Sequence, residues 1–248
     1  MQRRALLRHA TAFGLLAGSS RALLAAPAAA DPAELAAPFN RLVPARVSDE
    51  IVLRQIDTRS DGVSWRELQI PPATTGASAT ARTERVSVRD GVRAMYALTS
   101  GQLFANVKVE TSMPGQFDRD RALCIEAMRN RHQAQAATVQ AWLPQQSAEV
   151  QSRFAQALEP GRVPYELSDA RVRGIDTLWA GDNLFGASAS PAMVHFFLPQ
   201  EEAIVTAYLL NQKASVFKTA ADFGRRREAF IDGYAQALAD AIRARREG

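Results

Sequence analysis

Only one of the 248 residues is a cysteine, Cys124. A lone thiol cannot close an internal disulfide, so the fold must rest on its own core. Charge of either sign is also scarce in excess. Thirty Lys and Arg stand against 26 Asp and Glu, a formal net charge of +4. No uninterrupted run approaches the roughly twenty apolar residues that span a bilayer, which excludes a multi-span membrane protein. At 47% hydrophobic and 23% charged residues, the chain is neither collagenous nor wholly disordered.

Motifs that carry chemistry are missing as well. No glycine-rich loop ends in Lys-Ser or Lys-Thr, so nothing supplies the amide cradle of a nucleoside triphosphate. No dinucleotide fingerprint follows a strand. Neither a cysteine pair nor a His-x-x-x-His spacing offers convergent metal ligands. The nearest approach to a nucleophile elbow, Gly186-Ala187-Ser188-Ala189-Ser190, lacks the second glycine. No cofactor and no metal are therefore expected.

What is present begins with a leader. Met1 to Arg8 is basic, Ala10 to Ala17 is apolar, and a second small apolar run leads to Ala28-Ala29-Ala30 before Asp31. Small side chains one and three positions before a cut suit signal peptidase. Residues 1–30 thus read as a cleavable secretory signal, cut after Ala30 or after Ala22. Gln2-Arg3-Arg4-Ala5-Leu6-Leu7 resembles a twin-arginine (Tat-type) signal, and the resemblance implies that the protein folds before it crosses the membrane. Sec-type signals also carry early paired arginines, so the route stays open.

Removing the leader changes the electrostatics. It holds four arginines and no carboxylate, which leaves 26 basic and 26 acidic residues in 31–248. Nucleic-acid binding needs a basic surface that releases counterions, and none is expected here. Asp222, Glu228 and Asp232 lie near Arg225-Arg226-Arg227, which reads as a solvated helix face. Cys124 sits among Ala122, Leu123 and Ile125 and reads as a buried thiol. Far from the signal, it offers no lipid attachment point, so no stable membrane anchor is expected after cleavage.

Along the mature chain, residues 31–44 read as a loose lead-in. Strands are predicted at 50–58 and 64–70, with Asp61-Gly62 as a turn between them. The stretch 71–83 is rich in breakers and reads as an exposed loop. The pair Asp90-Gly91 predicts a hairpin joining 84–89 to 92–99, and Ser100-Gly101 turns into a third strand, 102–111. There Leu103, Ala105, Val107 and Val109 alternate with Asn106, Lys108 and Glu110, one face on a core and one in water. A helix is predicted over 118–143, with Ile125, Met128, His132, Val139 and Leu143 on its apolar stripe, and a second over 147–158. A strand is predicted near 171–177. The apolar segments 192–198 and 203–210 form a second hairpin, covered on both faces. The last helix spans 220–245, capped by Thr219, with Phe223, Phe230, Ile231, Tyr234, Leu238 and Ile242 buried. The expected fold is α+β: a mostly antiparallel sheet, a meander plus a C-terminal hairpin, with helices packed on it. Residues 31–248 form one domain in this reading.

Site candidates are few. Asp176 to Phe185 reads as an irregular loop in which Trp179, Asp182, Asn183 and Phe185 could grip a ligand. His195 is either a packed sheet residue or a general base paired with Asp176 or Asp182. His132 reads as a partly buried histidine with a local hydrogen bond. Asp118, Asp120 and Glu126 read as helix charges of the first turns. These features point to a soluble protein of the periplasm or the exterior, a non-catalytic binding or interaction module whose partner is an unidentified protein or small molecule. Neutralising another protein, or an accessory role in the envelope, falls within this class. The alternative is a small periplasmic hydrolase built on His195. Mass spectrometry of the exported protein checks the leader: a chain starting at Asp31, or at Leu23 for the earlier cut, is expected, and a retained Met1 would contradict it.

Overall fold

The computed structural model describes residues 40–57, 64–73, 80–158, 161, 163, 165–182, 192–210 and 220–247. Its centre is an eight-stranded, wholly antiparallel sheet. In chain order the strands are β1 (Ile51–Asp57), β2 (Ser64–Ile70), β3 (Arg82–Leu98) and β4 (Leu103–Ser112), then β5 (Tyr165–Val172), β6 (Ile175–Asp182), β7 (Ala192–Leu198) and β8 (Ala203–Leu209). Between the two sets lie helices α1 (Phe117–Trp142) and α2 (Ala148–Ala157), and α3 (Ala220–Glu247) closes the chain. The fold is α+β with helices packed on the sheet, as the sequence predicts.

The spatial order is β1-β3-β4-β8-β7-β6-β5, with β2 beside the first half of β3. Strand β8 enters between β4 and β7, so the late hairpin lies mid-sheet. Its near-continuous apolar character follows from that position. Ala192, Val194, Phe196 and Leu198 face one way with Ala203, Val205, Ala207 and Leu209. Phe197 and Ile204 face the other. Each fully buried side chain of this size contributes about 1.5–3 kcal/mol, so each face requires a cover.

Helix α3 covers the first face with Phe223, Phe230, Ile231, Tyr234 and Leu238. The Tyr234 ring stacks on Phe196 at 5.3 Å, and Tyr96 meets Phe230 edge-on at 5.8 Å. Helix α1 covers the second face. Cys124 and Met128 pack with Leu178, Phe197 and Ile204, while Leu123 and Ala127 pack with Ile70 and Val86. One helix therefore touches β2 near one margin of the sheet and β5 at the other. Cys124 is buried, as expected.

Two local predictions are corrected. Asp90-Gly91 does not turn the chain; it lies inside the 17-residue β3, at a register shift between Val88 and Asp90 where β4 continues to pair on both sides. A β-bulge accommodates such a pair as readily as a hairpin does. Strands β1 and β2 both run antiparallel to β3, β1 along its second half and β2 along its first; the predicted turn pair Asp61-Gly62 and the predicted cap Thr219 lie outside the described residues. The strand expected over 171–177 is instead the two ends of a hairpin. Arg173 and Gly174 both have positive φ, 50° and 83°, and reverse β5 into β6.

The stretch expected to be a loose lead-in also contributes to the core. Leu42 and Val43 are 2% and 1% exposed. Tyr234 donates its hydroxyl to the Leu42 carbonyl at 2.8 Å, and Tyr96 donates to the Pro44 carbonyl at 2.9 Å. The segment then crosses α3 so closely that a β-carbon on Gly233 would stand 1.9 Å from the Val47 carbonyl oxygen. Gly233→Ala should therefore cost about 1–3 kcal/mol through overpacking. Urea denaturation measures it, and an unchanged midpoint would contradict the contact.

Candidate functional site

The β5–β6 turn, the β7–β8 connection and the end of α3 meet at one end of the sheet. They enclose a cleft of about 280 Å³. Its walls carry four arginines, Arg171, Arg173, Arg243 and Arg246, and one carboxylate, Asp176. The apolar floor includes Ile175 and Ile242.

Each wall is fixed by its own interactions. Arg173 is a non-glycine residue in the left-handed region, a conformation that carries strain. Its guanidinium donates from Nε and Nη2 to the two carboxylate oxygens of Asp232 on α3, at 2.7 and 2.8 Å. This planar fork ties the turn to the helix. The hydrogen bond from Arg173 holds the Asp232 carboxyl below its ordinary range. One step along, Arg171 donates from Nε to the Gly174 carbonyl at 3.0 Å. On the β7–β8 side a 3-10 turn at Pro199–Glu201 ends on Glu202 at φ 46°. Glu201 accepts from Arg41 at 2.5 Å and from Arg245 of α3 at 2.6 Å.

Of the residues singled out in the sequence as site candidates, Asp176, Trp179 and His195 have described side chains. Asp176 lies at the cleft, with Arg121 at 3.5 Å and Arg171 at 3.7 Å. His195 is 4% exposed, and its Nδ1 lies 3.0 Å from the Thr206 hydroxyl, directly across the strand pair. It stands opposite Leu178 in β6, with the Phe197 ring at 5.8 Å. This geometry makes the imidazole a cross-strand hydrogen-bond partner inside the sheet.

Trp179 is not on a loop. It belongs to β6, is 8% exposed and packs in the core beneath α3. Asp182 ends β6 opposite Tyr165; its side chain, Asn183 and Phe185 lie outside the described residues.

One charged residue is corrected by burial. Arg227, expected on a solvated face, is 0% exposed, with its guanidinium 4.6 Å above the Trp179 ring and 5.9 Å from Phe223. A delocalised, weakly hydrated cation suits an aromatic face better than an ammonium would. Its neighbour Arg226 bridges Glu50 and Asp222 at 2.8 and 2.5 Å. Asp118 and Asp120 fall in the first turn of α1, as expected; Asp120 is 1% exposed, with Arg119 Nη1 at 3.4 Å. Glu126 takes a two-point contact from Arg82 at 2.6 Å. His132 is half-buried, and its Nε2 is enclosed without a hydrogen-bond partner among the described residues.

The cleft arginines were missed because each reads as surface charge. The available signal was the pairing of two arginine-rich ends, Arg171-Val172-Arg173-Gly174 and Arg243-Ala244-Arg245-Arg246. Only the fold shows that they face each other. Among the described residues, no cluster of three or more His, Cys, Asp or Glu side chains is placed to hold a metal ion, and no helix is long and apolar enough to cross a membrane. Compared with known proteins, the chain matches no family model, no curated protein and no solved structure.

The Arg173–Asp232 pair gives a pH prediction. A carboxyl held below its ordinary value of 3.8 stabilises the fold fully above that value, and the contribution fades as the pH falls through the lower folded value. Asp232→Asn should therefore be less stable than wild type at pH 7, and the gap should narrow at pH 3. Equal gaps in urea denaturation at the two pH values would contradict this.

Proposed function

We propose that the protein is an exported, non-catalytic binding module of the periplasm or exterior that holds its ligand in the arginine-walled cleft. The observation that carries this reading is the construction of the cleft. Three separate elements converge on it, and each is locked to the scaffold by hydrogen bonds or ion pairs. Recognition sites gain affinity when their groups are held in place before the ligand arrives. A volume of about 280 Å³ lies at the small end of the range for ligand pockets, roughly 300–1,000 Å³. The leader of residues 1–30 supports export. The balanced charge of 31–248 supports a partner other than nucleic acid.

Capture from periplasmic extract tests the reading. Gln200 lines the cleft from an exposed position, so Gln200→Trp fills the cleft without entering the core. Wild type should retain a small molecule or partner that mass spectrometry detects, and the variant should lose at least nine-tenths of it. Equal retention by both proteins, or recovery of the protein solely from the cytoplasm, would overturn the proposal.

A further inference from the structure

We infer that the cleft takes a small oxyanion, a molecule bearing two or more carboxylate or phosphate groups on a short skeleton; this rests on the binding-module reading above. The lining is lopsided in charge, four arginines to a single carboxylate. The guanidinium groups are also unequally committed. Arg173 spends two nitrogens on Asp232 and keeps Nη1. Arg171 spends only Nε on the Gly174 carbonyl and meets Asp176 at a loose 3.7 Å. Arg243 contacts Asp240 at 3.3 Å. The Arg246 guanidinium makes no ion pair or hydrogen bond with a described residue.

Forked N–H donors of this kind match the paired oxygens of carboxylates and phosphates. The arginines come from two opposed walls, one on the β5–β6 hairpin and one on the last turns of α3, so one anionic group can be gripped from each side. Two features oppose anion binding and set its strength. The C-terminal end of α3 carries the negative pole of the helix dipole, and Asp176 lies in the wall. The arginines of the last helical turn offset the first. Arg121, 3.5 Å from Asp176, partly offsets the second. The side chains are largely solvent-exposed, so the attraction is screened by salt. The apolar floor at Ile175 and Ile242 accommodates a short carbon skeleton.

Isothermal titration with citrate and, separately, pyrophosphate tests the inference on the mature chain. At least one probe should bind wild type, more weakly as salt rises. The Arg171→Gln/Arg246→Gln variant should bind it at least tenfold more weakly. Arg153→Gln on α2, which removes an exposed ion pair with Glu149, should bind as wild type does. Citrate alone would assign carboxylates, pyrophosphate alone phosphates, and both the shared oxyanion chemistry. Absence of binding by both probes, or equal binding by wild type and the double variant, would overturn the inference. The Gln200→Trp capture experiment reads the binding-module proposal separately. A neutral ligand lost on filling the cleft would leave that proposal standing while this one falls.

Discussion

Strands β7 and β8 project apolar side chains from both surfaces of the sheet, and neither surface can remain in water. Phe196, Val194 and Val205 require a cover on one side, Phe197 and Ile204 on the other. The rest of the architecture answers that constraint. The hairpin sits mid-sheet because only there can helices reach both faces, and α1 and α3 take one face each. Antiparallel sheets commonly leave one side solvated; this one cannot, because its central strands lack the polar alternation that would allow it.

The cleft is a consequence of the same packing. With α3 laid across the first face, its last turns overhang the end of the sheet where β5 reverses into β6. That reversal places Arg173 in a backbone region disfavoured for any residue with a β-carbon. The bidentate contact with Asp232 offsets the strain and joins the turn to the helix. The same contact thus shapes a tight turn, docks a helix and aligns one wall of the cleft.

Helix α1 shows how far a bulge can reach. Because Asp90-Gly91 is absorbed into β3 at a register shift, the first half of β3 continues beyond its pairing with β4 and carries β2 alongside. Leu68, Ile70 and Val86 then meet α1 from a side opposite to β5. Had the pair made a hairpin, Leu123 and Ala127 would have lost these neighbours. Arg227 shows the converse for charge. Three successive arginines look equivalent along the chain, yet one turn of helix places Arg225 in solvent, Arg226 between two carboxylates, and Arg227 against Trp179 in the core.

Periodicity along the chain was enough to determine the antiparallel sheet, the three helices, the burial of Cys124 and the central position of the last hairpin. These depend on which side chains avoid water, and that preference is written locally in steps of two or of three and four residues. Turn pairs were less reliable. Asp-Gly suits a bulge as well as a reversal, and an arginine at positive φ gives no local sign of the turn it makes. The cleft lay beyond local reading altogether. Its arginines stand about seventy residues apart, and only the docking of α3 against β5 and β6 brings them to one cavity. Side-chain chemistry decides what each element buries, whereas charge acts through space, between residues whose distance exists only in the folded chain.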